Sequence, residues 1–590
     1  MPVFLLFHRF GGQGNQLPDR RRKGSAMEME EKIMLQQKQA LLDVRVQRDV
    51  RVPMRDGVTL SADLYLPETE QPVPAIVVRS PYGKAGEFVH HTAPYFAARG
   101  YGFVSMDVRG RGDSDGKFIP YINEGADGHD SIEWAAAQPW CDGAVGTMGG
   151  SYLARIQWLT ALTQPPHLKA MISTVTPSDP FVETPTGVPG PQHLCWLYMT
   201  SGRVMQDVDV IDWEAVYWHL PLMTMDEKTG KSLPRWREEV EHSRLDDWWR
   251  RIAYQERFHE LDLPVLHISG WYDDEQVGTP LNYVGMTTRA KTEFGRKHQK
   301  LVMGPWPHQV NRSTRLGELD FGPQSLIDLN GLQLRWFDRW LKGEANGVAE
   351  EPPVSIFVMG ENRWRQEREW PLRRTRWIPY YLHSGGRANS RFGDGRLSTE
   401  VPGEEPSDRY SYDPAHPVPF ITDPTSNQIG GPDDYSAVER RDDVLVYTTP
   451  PLEEALEVTG PIRMRLFASS SARDTDFMVK FLDVWPNGFA QRLTDGMVRG
   501  RFRNGMDRPE LLEPGQVYEY EIDCWNISHL FQKGHRIRVE VASSAFPKYD
   551  RNLNTGAELG QGTEMVVAEQ TVFHDREHPS AIILPVIPRG

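Results

Sequence analysis

The chain has 590 residues, 39% hydrophobic and 25% charged, a balance that belongs to a large globular protein of several domains. Its net charge of −15 and pI near 5.7 argue against nucleic acid or an anionic membrane as partner, and no run of 18 apolar residues is present to cross a bilayer. The three cysteines, Cys141, Cys195 and Cys524, are odd in number and widely spaced, which speaks against a disulfide framework or a metal knuckle and for a reducing, cytoplasmic setting.

Residues 1–44 differ from the rest. Val3-Phe4-Leu5-Leu6-Phe7 is too short for a signal-peptide core and lacks a basic stretch before it, while Arg20-Arg21-Arg22-Lys23 follows in a polar, Gly-rich context. The expectation is a disordered extension, or a start at Met27 or Met29, with residues 28–42 compatible with a surface helix. From 45 to 178, and again from 250 to 353, apolar strand runs such as Ala75-Ile76-Val77-Val78 and Gly102-Phe103-Val104-Ser105-Met106 alternate with helical patterns, which predicts a parallel α/β sheet. Between the halves, 179–249 is rich in helix formers and holds Trp196, Trp213, Trp218, Trp236, Trp248 and Trp249. It is expected to cap the active site, most of the tryptophans forming its core and one or two lining an apolar pocket. From 354 to 590 short alternating segments such as Ile462-Arg463-Met464-Arg465-Leu466-Phe467, separated by Gly, Pro and Asp turns, predict an antiparallel β domain.

Gly149-Gly150-Ser151-Tyr152 sits between an apolar run, Ala144–Met148, and a helical pattern from Arg155. Strand, glycine turn with a serine at its tip, then helix is the nucleophile elbow of an α/β-hydrolase. A lone Gly-x-Ser is more often a plain helix N-cap, so the reading depends on partners. In this fold the acid and then the histidine follow the serine, at the carboxyl ends of strands. Pro264–Gly270 reads as a buried strand followed by Asp273, and Lys300–Gly304 as another followed by His308. Ser151, Asp273 and His308 thus stand in the right order and context for a triad.

These segments resemble the cocaine-esterase-like hydrolases, grouped with X-Pro dipeptidyl peptidases and α-amino-acid ester hydrolases. The matching stretches include Arg79-Ser80-Pro81-Tyr82-Gly83-Lys84, Gly150-Ser151-Tyr152, Gly270-Trp271-Tyr272-Asp273, Gly304-Pro305-Trp306-Pro307-His308 and Ser543-Ser544-Ala545-Phe546-Pro547-Lys548-Tyr549. The resemblance implies an α/β-hydrolase domain with an inserted helical cap and a C-terminal β jelly roll. It implies Ser151 as nucleophile, His308 as base and Asp273 as its partner. It implies an oxyanion hole made by the Tyr82 hydroxyl and the Tyr152 amide, and no cofactor or metal. Ala154 departs from the glycine usual in the family, which puts the packing of the elbow helix in question.

Two further motifs suggest other chemistry. Gly110-Arg111-Gly112-Asp113-Ser114-Asp115-Gly116 looks like a dinucleotide fingerprint but lacks the third glycine in place, so it is read as a turn, with Asp107 and Arg109 in structural pairing. Asp113, Asp115, Asp127 and Asp130 fit no calcium loop and are read as a solvated face. Three functions compete: an esterase with broad or aromatic acyl preference, an amide-cleaving dipeptidyl peptidase or acylase with the same machinery, and a non-catalytic protein that kept the fold. The partner expected is a small ester or amide. The oligomeric state, a homodimer included, stays open. Asp274 and Glu275, next to the acid, could hold a substrate ammonium; the expectation is instead that one faces solvent, the other caps the next helix, and a neutral ester is cleaved as well or better.

Overall fold

The computed structural model describes residues 41–422 and 430–588. The extension expected over 1–44 therefore lies, apart from its last four residues, outside the described residues. The first domain is built on a ten-stranded sheet. In chain order its strands are β1 (Val44–Pro53), β2 (Thr59–Pro67), β3 (Val73–Ser80), β4 (Gly102–Asp107), β5 (Cys141–Gly150), β6 (Leu168–Thr174), β7 (Val265–Gly270), β8 (Gln299–Gly304), β9 (Val354–Val358) and β10 (Arg363–Glu367). Their spatial order is β1-β2-β4-β3-β5-β6-β7-β8-β9-β10. The strands from β4 through β9 run parallel, and the hairpins at the two ends are antiparallel. Strands β4, β7 and β8 are buried along their whole length, which is why they read as continuous apolar runs rather than alternations.

The sequence placed the change of domain at 354, yet β9 and β10 pair with the first sheet, β9 lying parallel to β8 with Val354 beside Leu301. A short apolar strand followed by an alternating one fits either sheet, and only the pairing partner decides. Beyond them an eleven-stranded, largely antiparallel sheet makes the second domain. The two share a core: Trp271 and Tyr272 of the first pack with residues such as Leu445, Phe481 and Ile527 of the second. Gln491 Nε2–H donates to the Tyr272 hydroxyl at 3.0 Å across this boundary.

Between β6 and β7 the chain forms short helices, among them Pro191–Met199, Trp213–Tyr217 and Pro234–Glu241. Trp213, Trp236 and Trp249 are buried there, Trp218 is exposed, and Trp196 points elsewhere. The three cysteines are free. Asp113, Asp115, Asp127 and Asp130 each face a cation, respectively Lys84, Arg51, Arg109 and Arg55; Asp113 and Asp115 are exposed, as the solvated face required, whereas Asp127 is buried and Asp130 mostly so. Asp107 and Arg109 are both engaged, but apart: Asp107 accepts the Lys84 and Asp113 amides, and Arg109 joins Asp56 to Asp127.

Candidate active site

Ser151 stands between β5 and helix α1 (Tyr152–Ala161) with φ 59° and ψ −128°. That is left-handed backbone for a residue with a Cβ, a strain of about 1–3 kcal/mol held by its surroundings. The Ser151 amide is anchored on the carbonyls of Thr174 and Val175, both at 3.0 Å. Gly149 precedes it because a Cβ there would lie 2.5 Å from the Cβ of Leu153. The serine side chain makes no capping bond, so its hydroxyl is free of the helix. The Tyr152 amide opens α1 and, as a first-turn N–H, has no intrahelical acceptor. Ala154, in place of the usual glycine, is fully buried in the packed face of α1.

Asp273 and His308 are brought together by neighbouring strands in register, with Gly270 of β7 opposite Gly304 of β8. The loops that leave them cross closely: Trp271 N–H donates to Gly304 O at 2.9 Å and Tyr272 N–H to Trp306 O at 3.1 Å. A Cβ on Gly270 would sit 2.0 Å from that Trp306 oxygen, so only glycine allows the approach. The outcome is a 2.8 Å hydrogen bond between His308 Nδ1 and Asp273 Oδ1. Asp273 is 2% exposed and fixed from behind by Ser269 Oγ at 2.7 Å and the Glu275 amide at 3.2 Å.

Tyr82 follows β3, where its amide is held by Ser80 Oγ at 3.0 Å. Its hydroxyl accepts the Trp196 indole N–H at 3.0 Å. Burial pushes the phenol up to about 12, so it remains a neutral donor. The Tyr152 ring is anchored through its hydroxyl, 2.8 Å from Glu124 Oε1, and stacks on Tyr121 at 4.5 Å and Trp196 at 5.6 Å. Tyr121 and Trp196 stack on each other at 6.5 Å, and with Tyr82, joined to Trp196 through its hydroxyl, they make an aromatic wall.

The expectation that Asp274 or Glu275 caps the next helix is overturned. Asp274 Oδ1 lies 3.3 Å and Glu275 Oε2 4.0 Å from His308 Nδ1, and neither caps a helix. The following helix, α2, spans Gly278–Arg289 and has no acid in its first turn. Residues 273–276 instead form a tight turn, Gln276 N–H donating to Asp273 O at 3.2 Å, so the argument that adjacent helical side chains diverge does not apply. Glu275 Oε2 is buried and accepts no hydrogen bond among the described residues. Glu183, in the cap, is close enough to add its charge to that of Glu275, and burial raises its own pKa to about 7. Burial likewise raises Asp274 to about 6 and Glu275 well above the carboxylate range. Sequence reasoning missed Glu183, Tyr121 and the hydrogen-bonding role of Trp196. Asp273, Asp274 and His308 put ligand atoms within 4.8 Å of one another, and among the described residues no other such cluster occurs.

For His308, burial disfavours the imidazolium, but the charge of Asp274, the Asp273 hydrogen bond and the charges of Asp273 and Glu275 outweigh it, and its pKa stands well above 6.5. The protons of this group are shared, so its titration belongs to the cluster. A histidine must be neutral to accept a proton, so activity is expected to fall as pH drops through a value above the ordinary 6.5 of histidine. Asp274→Asn removes a charge that favours the imidazolium and is expected to move this limb to lower pH. The kcat/KM profile of both proteins checks it; a limb that stays in place in the variant contradicts the arrangement.

Two family models match the chain. Residues 56–310 match the X-Pro dipeptidyl-peptidase (S15 family), and 346–583 match the X-Pro dipeptidyl-peptidase C-terminal non-catalytic domain. The cocaine esterase of Rhodococcus sp. (strain MB1 Bresler) is 38% identical over 577 residues, covering 92% of this chain and 99% of that protein. Among solved structures, an α-amino acid ester hydrolase superposes with a TM-score of 0.81 at 28% identity, covering 92% of this chain and 97% of its own. An aminopeptidase from a Thaumarchaeota archaeon gives 0.81 at 27% identity, covering 93% and 97%. With a fold and a site of this kind, the chain belongs to the family of the cocaine esterase, serine hydrolases whose catalytic part here matches the S15 model.

Proposed function

We propose that the protein hydrolyses small carboxylic esters through an acyl-enzyme on Ser151. The observation that carries this is the strained serine at the tip of β5, its hydroxyl free of the helix, together with the hydrogen-bonded pair Asp273–His308 at the ends of β7 and β8. His308 takes the Ser151 proton as the hydroxyl attacks the ester carbonyl. Asp273 holds the imidazole with Nδ1 toward itself and stabilises the imidazolium. The Tyr82 hydroxyl and the Tyr152 amide donate to the oxyanion. His308 then returns the proton to the leaving alcohol, and water, activated by the same histidine, releases the acid. The aromatic wall of Tyr82, Tyr121 and Trp196 supports an aromatic acyl group.

A second reading concerns the acyl group and is favoured by one observation: Asp274 and Glu275 converge beside His308, with Glu183 in electrostatic range and Glu275 Oε2 buried without a donor. Such a group suits an α-ammonium, as in an amino-acid ester or the N-terminus of a peptide. It is a better match to the site than the neutral preference expected from sequence. The test is a matched pair, phenylglycine methyl ester and phenylacetic methyl ester, at a pH where the amine is charged. A charged hydrogen bond is worth about 1.5–3 kcal/mol, so roughly ten- to a hundredfold in kcat/KM in favour of the amine is expected, erased by Glu275→Gln. Equal rates on both esters would leave the esterase reading and remove the ammonium.

A further inference from the structure

The Tyr82 hydroxyl is supported from the cap. Trp196 lies on helix Pro191–Met199, and its indole is fixed by stacking on Tyr152 at 5.6 Å and 25° and on His193 at 5.6 Å and 19°. Its Nε1–H donates to the Tyr82 oxygen at 3.0 Å. One residue before Tyr82, Pro81 O accepts the Nε–H of Arg111 at 2.7 Å, and the same guanidinium donates to Thr200 O at 2.7 Å and to Gly202 O, just past the end of that cap helix. Arg111 is 1% exposed and makes no ion pair among the described residues; its charge is held by carbonyls. The Gly110-Arg111-Gly112 turn, which resembles a nucleotide fingerprint, thus ties the Tyr82 segment to the cap.

A phenol O–H lies near the plane of its ring and has two orientations. An indole N–H on one in-plane lone pair excludes the hydroxyl hydrogen from that side and leaves it the other. A hydroxyl that accepts a hydrogen bond is also the stronger donor, because the bonds polarise one another. We propose that Trp196 is a positioning residue of the oxyanion hole, its indole N–H aiming the Tyr82 hydroxyl at the oxyanion and strengthening it as a donor. The cap then takes part in the chemistry as well as in covering the pocket, because moving its helix removes the support of Tyr82. This rests on the reading of Tyr82 as an oxyanion donor.

The experiment is a double-mutant cycle on Tyr82→Phe and Trp196→Phe with p-nitrophenyl acetate, whose acyl group is too small to depend on the aromatic wall. Trp196→Phe is expected to lower kcat about two- to tenfold, the worth of one hydrogen bond, with KM little changed. In the Tyr82→Phe background the same substitution is expected to cost nothing further, since it acts through a hydroxyl that is no longer there. Replacing Trp196 with benzothienylalanine, which keeps the shape and the stacking and lacks only the N–H, should repeat the result if Trp196→Phe fails to fold. An equal loss in both backgrounds, a loss carried by KM, or full activity with benzothienylalanine would overturn the proposal alone. A normal kcat in Tyr82→Phe would overturn the oxyanion reading and the proposal with it.

Discussion

Ser151→Ala is expected to lower kcat by about 10⁶-fold while the protein still folds. The size follows from the unit the serine belongs to: without a nucleophile, neither the His308–Asp273 pair nor the oxyanion donors have a covalent step to assist. The fold should survive, because the hydroxyl makes no capping bond to α1 and the anchoring contacts of residue 151 are made by its amide to Thr174 and Val175. Alanine at φ 59° is strained as serine is, so the strain already borne there is not increased. Single-turnover and steady-state rates with a p-nitrophenyl ester, beside a thermal melt, check both halves. A variant keeping more than about a hundredth of wild-type kcat would place the nucleophile elsewhere.

Tyr82→Phe is expected to cost about 10²–10³-fold in kcat with little change in KM. The ground-state carbonyl oxygen is weakly held, whereas the oxyanion draws its charge onto the donors as it forms, so the loss belongs to the transition state. The hydroxyl is well suited to this: burial holds its pKa near 12, which keeps it protonated, and the Trp196 indole N–H is bonded to its oxygen. A raised KM with normal kcat would make Tyr82 a residue of substrate binding instead.

The candidate triad was legible because Ser151, Asp273 and His308 each come shortly after a strand that ends in glycine, Gly150, Gly270 and Gly304. An apolar run ending in Gly270 or Gly304, with a polar residue three or four positions on, marks the carboxyl edge of a parallel sheet, and the register of β7 with β8 does the rest. Tyr82 and Tyr152 came from the resemblance; the bond from the Trp196 indole to the Tyr82 hydroxyl did not. Asp274 and Glu275 were misplaced because their direction depends on where α2 begins. The helix starts at Gly278, and the turn at residues 273–276 before it brings both carboxylates beside His308. Trp196 could not be told from Trp213 or Trp236 by composition, since a cap tryptophan's role is decided by the face its helix presents. Glu183 carried no signal: a single acid in a cap becomes part of a site only when a turn 90 residues later supplies Glu275. The same limit hid the pairing of β9 and β10, whose sequences suit either sheet.

The central claim is a covalent acyl-enzyme on Ser151, and trapping it is the most direct measurement. An ester of an aromatic acid with a fast-leaving p-nitrophenolate, mixed with the enzyme and quenched in acid within the burst, should add the mass of one acyl group to the intact protein. Fragmentation should then place that group on the peptide that contains Ser151, and the adduct should be absent in Ser151→Ala. Turnover at the normal rate with no adduct, or an acyl group on another residue, would contradict it.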